Sequence, residues 1–178
     1  DILAPVLQSN VDNIIALNAH GQATLRAADL DLGTSDNCAV DSLNLSQTTF
    51  VCAQLGSNTV TIEAVDPSDN RQTASVQVTV VDSLAPQVTA QAATATLNSD
   101  GVAYITVQDV LSPGSSADNC SVDSLYLSHD SLNCADVPQQ NVILYVLDAS
   151  GNIGQDTAVV TVVDTLAPTI ASGLSQLN

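Results

Sequence analysis

The stretch Thr73-Ala74-Ser75-Val76-Gln77-Val78-Thr79-Val80-Val81-Asp82-Ser83-Leu84-Ala85-Pro86 decides the reading of the fold. Its first eight residues alternate polar and apolar without a slip, the period of a strand with one face on a core. Thr59-Val60-Thr61-Ile62-Glu63-Ala64 alternates in the same way, with Val60, Ile62 and Ala64 expected inward. Pro67-Ser68-Asp69-Asn70 supplies the turn between them. The second half of the stretch recurs: Val78–Pro86 returns 82 residues later as Val160-Thr161-Val162-Val163-Asp164-Thr165-Leu166-Ala167-Pro168.

Working outward, Asp36-Asn37-Cys38-Ala39-Val40-Asp41-Ser42-Leu43-Asn44-Leu45-Ser46 recurs at the same offset as Asp118-Asn119-Cys120-Ser121-Val122-Asp123-Ser124-Leu125-Tyr126-Leu127-Ser128, with nine of eleven residues identical. Asp1-Ile2-Leu3-Ala4-Pro5 is a third copy of the junction, one residue out of register. The chain therefore reads as one repeat over 1–81, a second over 82–163 and the start of a third over 164–178, with a longer array expected to continue beyond it. Gly21 and Gly101 suit hairpin-like turns, Ala149-Ser150-Gly151-Asn152 is the counterpart of the Pro67–Asn70 turn, and no helical period stands out. About seven short strands per ~80 residues is the pattern of an immunoglobulin-like sandwich. The predicted fold is all-β: two tandem immunoglobulin-like antiparallel β-sandwich modules. The absence of Trp argues against an antibody-type domain.

Composition narrows the function. The 178 residues carry 19 acidic side chains against two basic ones, Arg26 and Arg71, for a formal net charge of −17. Nucleic acid and anionic membrane surfaces need Lys/Arg patches, so neither is expected as a partner. No apolar run reaches membrane-span length and no signal peptide precedes Asp1, so a soluble, mature or excised piece is expected. No Gly-x-Ser-x-Gly, phosphate loop or His-containing metal pattern is present, and His20 and His129 fall at non-equivalent places in the repeats; an enzyme is not expected.

Cys38 and Cys52 are 14 residues apart, as are Cys120 and Cys134. With no CxxC spacing, a disulfide inside each repeat is expected rather than a metal site. Closing such a loop stabilises by about 3 kcal/mol in the chain-entropy treatment. An oxidising, extracellular location follows.

All the acids but Glu63 are Asp, the short carboxylate that suits turns and oxygen-ligand cation sites. In a sandwich the incoming chain, the loop after the second strand and the turn between the last two strands meet at one pole. That places Asp82, Asp109, Asp118, Asp148 and Asn152 together in repeat two, and Asp1, Asp29, Asp36, Asp66 and Asn70 in repeat one. Converging carboxylates repel unless a cation neutralises them, and Ca²⁺ takes six to eight hard oxygen ligands. The competing reading is that turns simply favour Asp and Asn.

The junction Val-Val-Asp-Ser/Thr-Leu-Ala-Pro, the Asp-Asn-Cys motif, the second Cys and Asp148-Ala149-Ser150-Gly151-Asn152 resemble the hyalin-repeat and related immunoglobulin-like repeats of giant surface adhesins, especially those of Bacteroidota. The resemblance spans nearly the whole chain and implies stalk modules. Asp69 departs from it, standing where the family has Gly. It also implies O-glycosylation at Asp-Ser/Thr-apolar triplets, here at Ser42, Ser83, Ser124, Ser131, Thr157 and Thr165.

The expected function is that of stalk repeats in an extracellular cell-surface adhesin, a Ca²⁺-stiffened, disulfide-stapled rod whose partners are further repeats of the same chain. Rival readings are a subunit of a self-assembled extracellular filament and an accessory module of a secreted hydrolase. Comparing the repeats adds one candidate surface. Thr61, Glu63 and Val65, expected outward, become Ile143, Tyr145 and Leu147, while Asn44 becomes Tyr126 and Gln77 becomes Val159. These five are expected to form an outer apolar patch that receives a neighbouring filament chain, a surface glycan or another segment of the protein.

Overall fold

Residues 1–168 are described by a computed structural model; 169–178, most of the expected third-repeat start, lie outside the described residues. The chain divides into two compact units, the first Asp1–Pro86 with Asp118–Val122 and Asp148–Asn152, the second Gln87–Ala117 with Asp123–Leu147 and Ile153–Asn178. Two short loops of the second sequence repeat thus belong to the first unit.

In the first unit the strands are β1 (Asp12–Ala16), β2 (Gln22–Thr24), β3 (Ser42–Leu45), β4 (Thr49–Val51), β5 (Gly56–Val65) and β6 (Arg71–Val81), with an α-helical turn, α1 (Ala27–Leu30), and a 3-10 turn at Cys52–Gln54. One layer is the sheet β1-β6-β5-β3 and the other the pair β2-β4. The antiparallel register of β5 with β6 sets Val60 against Val76. Val60, Ile62, Ala64, Val76, Val78 and Val80 are thereby fully buried, as the alternation predicts. Leu17, Leu25, Leu30 and Phe50 complete that core. Each of the Val, Leu, Ile and Phe side chains among them contributes roughly 1.5–3 kcal/mol relative to exposure.

The second unit repeats the plan with β7 (Ala93–Thr96), β8 (Val102–Tyr104), α2 (Val107–Val110), β9 (Val122–Leu127), β10 (Ser131–Asn133), β11 (Gln139–Asp148) and β12 (Ile153–Val163). Its sheet order is β7-β12-β11-β9, faced by β8-β10. Val142, Val160, Val162, Ile105, Val110 and Leu132 form its core. The chain is therefore two β-sandwiches.

Three details depart from expectation. First, β1 pairs parallel with β6, and β7 with β12. The partners are far apart in sequence, so no hairpin forces them antiparallel. Second, α1 and α2 are helical turns, each held by an acid three residues after its cap: Asp29 Oδ2 accepts from Arg26 N at 2.8 Å and Asp109 Oδ2 from Thr106 N at 2.7 Å. Third, Val65 is buried, because β5 ends there and the chain turns back through the equally buried Asp66. Among the described residues no helix is long and apolar enough to cross a membrane.

Candidate functional site: an acidic cluster beside a disulfide

Asp148 shows how the turn chemistry aims a carboxylate. It ends β11, and its Oδ1 accepts from the backbone N–H groups of Ser150 (2.9 Å) and Asn152 (2.8 Å) while Oδ2 accepts from Asn152 Nδ2 (2.8 Å). Asn152 Nδ2 also reaches Asp82 O at 3.2 Å, so Asn152 braces two segments. The first repeat builds the same knot: Asp66 accepts from Ser68 N, Asn70 N and Asn70 Nδ2 at 2.7–2.8 Å, and Asn70 Nδ2 lies 3.3 Å from Asp1 O. Burial works against ionisation of Asp66, but the bonds from the Asn70 side chain and from Asn70 and Ser68 N–H outweigh it and hold its pKa below the ordinary carboxylate value.

Asp118 is aimed by its own loop, where Oδ2 accepts from Cys120 N (2.9 Å) and Ser121 N (3.0 Å). Asp82 Oδ1 accepts from Leu84 N (3.2 Å) and from Asn119 Nδ2 (3.1 Å). Together these bonds bring carboxylate oxygens of Asp82, Asp118 and Asp148 within 4.8 Å of one another. Asp82 and Asp148 are buried, and Asp82 Oδ2, Asp118 Oδ1 and Asn119 Oδ1 have no hydrogen-bond partner. Buried acceptor oxygens left unpaired are costly, and a hard cation satisfies them. The donor set, all oxygen, fits Ca²⁺.

The expected ligands divide. Asp82, Asp118 and Asp148 converge, and Asn152 braces the Asp82 and Asp148 segments. Asp109 and Asp29 are committed to the helical turns and fall outside the clusters. In the first repeat, Asp1, Asp36 and Cys38 form the second acid-containing group, without Asp66, and Asp36 Oδ1 is likewise buried and unpartnered. Asp69 adopts φ 66°, the left-handed region, where Gly151 has φ 89°; its carboxylate accepts from Arg71 Nη2 at 2.7 Å. It is therefore engaged by a cation of the protein itself.

The disulfide expectation needs correction. Cys52 is bonded to Cys120, with Cα atoms 5.5 Å apart, and Cys38 and Cys134 are exposed and unpaired. The 14-residue spacing misleads because the two cysteines of one repeat flank strands of different layers. Cys38 precedes β3 in the four-stranded sheet, whereas Cys52 follows β4 in the two-stranded one. Cys52 Sγ instead lies 3.7 Å from Gly21 O and 3.5 Å from Asn119 O. A Cβ on Gly21, at φ 67°, would come within 2.7 Å of Cys52 Sγ and 2.6 Å of Asn119 O, so only glycine fits there. Asn119 completes the clasp by donating to Asn18 O at 3.3 Å and to Asp82, which ties the disulfide to the acidic cluster.

Of the glycosylation candidates, Ser83, Ser131, Thr157 and Thr165 are exposed, and Ser42 and Ser124 are half-buried. Tyr126 and Val159 of the expected patch are exposed, while Ile143, Tyr145 and Leu147 are half-buried.

No protein-family model matches the chain, and no curated protein matches it in sequence. Among solved structures it is similar to human protocadherin-24 EC1-2 (TM-score 0.44, 13% identity, 92% of this chain and 100% of that one). An I-band fragment from titin gives TM-score 0.42 at 9% identity, over 92% of this chain and 67% of the other. The chain spans about half the length of a protocadherin gamma B7 structure with extracellular cadherin domains 1-4 (TM-score 0.35, 13% identity, 90% of this chain and 51% of that one). The β-sandwich assignment rests on the sheet orders above.

Proposed function

We propose that the chain supplies stalk repeats of an extracellular cell-surface adhesin, stiffened by Ca²⁺ at Asp82, Asp118 and Asp148 and stapled by Cys52–Cys120. The observation that carries this reading is the convergence of those three carboxylates with buried, unpartnered oxygens next to a covalent link. A disulfide suits an oxidising compartment, and a net charge of −17 without lysine suits neither nucleic acid nor an anionic membrane. The hyalin-repeat resemblance of the Asp-Asn-Cys and Val-Val-Asp motifs adds the adhesin context, in which the chain has no catalytic role. The exposed triplets at Ser83, Ser131, Thr157 and Thr165 are the proposed glycan sites.

A second reading, a subunit of a self-assembled filament, is favoured by the apolar face around Tyr126 and Tyr145, which offers a lateral contact. Single-molecule stretching of the oxidised chain tests the stalk reading. Unfolding force is expected to be higher in Ca²⁺ than in chelator, and equal forces would overturn calcium stiffening.

A further inference from the structure

The bonded pair Cys52–Cys120 and the unpaired pair Cys38 and Cys134 are the same two positions of the repeat, since Cys120 is the counterpart of Cys38 and Cys134 of Cys52. Both halves of the formed clasp exist a second time, each without its partner. On the receiving side, Asn98 Oδ1 accepts from Asp100 N and Val102 N as Asn18 Oδ1 does from His20 N and Gln22 N. Gly101, at φ 73°, faces Cys134 as Gly21 faces Cys52, and the sulfur-to-carbonyl distance is 3.7 Å in both. A Cβ on Gly101 would stand 3.0 Å from Cys134 Sγ, with no atom of another described residue beyond its chain neighbours within 4 Å, whereas at Gly21 the Asn119 carbonyl fills the second position. On the inserting side, Asp36 Oδ2 accepts from Cys38 N (2.9 Å) and Ala39 N (3.3 Å), the conformation Asp118 imposes on Cys120.

We infer that Cys134 with its Gly101 turn is an open socket for the Asp36-Asn37-Cys38 loop of a second copy of this chain, so that copies join head to tail through a Cys134–Cys38 disulfide. The occupant follows from the formed clasp, which shows this socket type taking this loop type, and a second copy carries that loop already folded. Asn37 would take the role of Asn119, donating to Asn98 O. The chemistry is thiol–disulfide exchange with a small-molecule disulfide such as oxidised glutathione. The Cys134 thiolate attacks one glutathione sulfur, forming a mixed disulfide and releasing one glutathione thiolate. The Cys38 thiolate of the other copy then attacks the Cys134 sulfur, releasing the second. Two protein thiols are oxidised and one glutathione disulfide is reduced to two thiols. The inference rests on reading the chain as stacked extracellular repeats, and its test separates the two.

Cys134→Ser and Cys38→Ser proteins each keep the Cys52–Cys120 clasp and one open cysteine. In a glutathione redox buffer, each alone is expected to stay monomeric, while their mixture yields a covalent dimer whose non-reducing peptide map contains Cys38–Cys134. Asn37→Ala, introduced into the Cys134→Ser partner, is expected to slow dimer formation and leave Cys52–Cys120 intact. Dimers forming equally well from either variant alone, absence of a dimer in the mixture, an intramolecular Cys38–Cys134 bridge in the unsubstituted chain, or an unchanged rate with Asn37→Ala would each overturn the inference. If those results came with Cys52–Cys120 intact, the repeat reading would stand; a map lacking Cys52–Cys120 would remove both.

Discussion

The four-stranded sheets of the two units use equivalent strands, yet their outer faces carry opposite chemistry. On the first, Arg71 bonds Glu63 at 3.0 Å and Asp69 at 2.7 Å, and Gln77 bonds Thr59 and Ser57. On the second, the counterparts of Asn44 and Glu63 are Tyr126 and Tyr145, stacked with ring centroids 4.9 Å apart. Leu147 pairs with Ile153, and Val159 lies opposite Asn141. Ile153 is 51% exposed, Tyr126 43% and Val159 42%, too open for core positions. The inward alternation determines the sandwich, so the outward positions are free to diverge toward contact. The acid knots at Asp66 and Asp148 did not diverge: their bonding partners match atom for atom.

The sharpest break between equivalent positions lies in the cysteines. Removing the Cys52–Cys120 bond by Cys52→Ser with Cys120→Ser should cost about 4 kcal/mol, the chain-entropy value for a loop this long, with a sequence separation of 68. Cys38→Ser and Cys134→Ser should leave the monomer's denaturant midpoint unchanged. If all four substitutions behave alike, the bonded and unbonded pairs are not distinct.

Asp66→Ala and Asp148→Ala, compared in calcium-free buffer, should each destabilise by about 2 kcal/mol, since each strands three donors. Strongly unequal losses would show that the knots differ as the faces do.

A smaller, shared effect appears with acid. Hydrogen bonds hold Asp66 low in the first unit. In the second, Thr106 N–H and hydroxyl lower Asp109, and Ala90 and Thr157 N–H lower Asp156. Depressed carboxylates stabilise above the unfolded pKa of about 4. Urea midpoints should therefore hold from pH 7 to about pH 5 and fall as pH drops through the lowered values. A stability maximum below pH 4 would contradict the bonding described.

The least effect on the fold is expected from Tyr126→Ser with Tyr145→Ser, at most about 1.5 kcal/mol for losing the stacked pair. Lateral assembly or adhesion should weaken nonetheless, as read by sedimentation or surface binding. Unchanged assembly and adhesion would reduce the apolar face to two tyrosines covering each other.

Much of this was legible in the sequence. The alternation over Thr59–Ala64 and Thr73–Val80 marks β5 and β6 with their buried faces, and the 82-residue offset marks the equivalent acids and the places where Tyr126 and Tyr145 replace Asn44 and Glu63. The helical turns were not legible, because four residues are too few for a helical period and Asp29 and Asp109 also read as ligands. Nor was the disulfide, since sequence proximity says nothing about which layer a cysteine flanks. Gly21 was readable as a turn, but the sulfur packed against it was not.

The central claim is that Asp82, Asp118 and Asp148 form a Ca²⁺ site that strengthens the folded chain. Differential scanning calorimetry of the oxidised protein in Ca²⁺ and in chelator tests it most directly. At a free Ca²⁺ concentration of 100 Kd the folded state should gain about 2.7 kcal/mol and the Tm should rise accordingly. Asp82→Asn with Asp118→Asn should abolish the rise. Identical transitions in Ca²⁺ and chelator would contradict the account and leave the acids as turn chemistry alone.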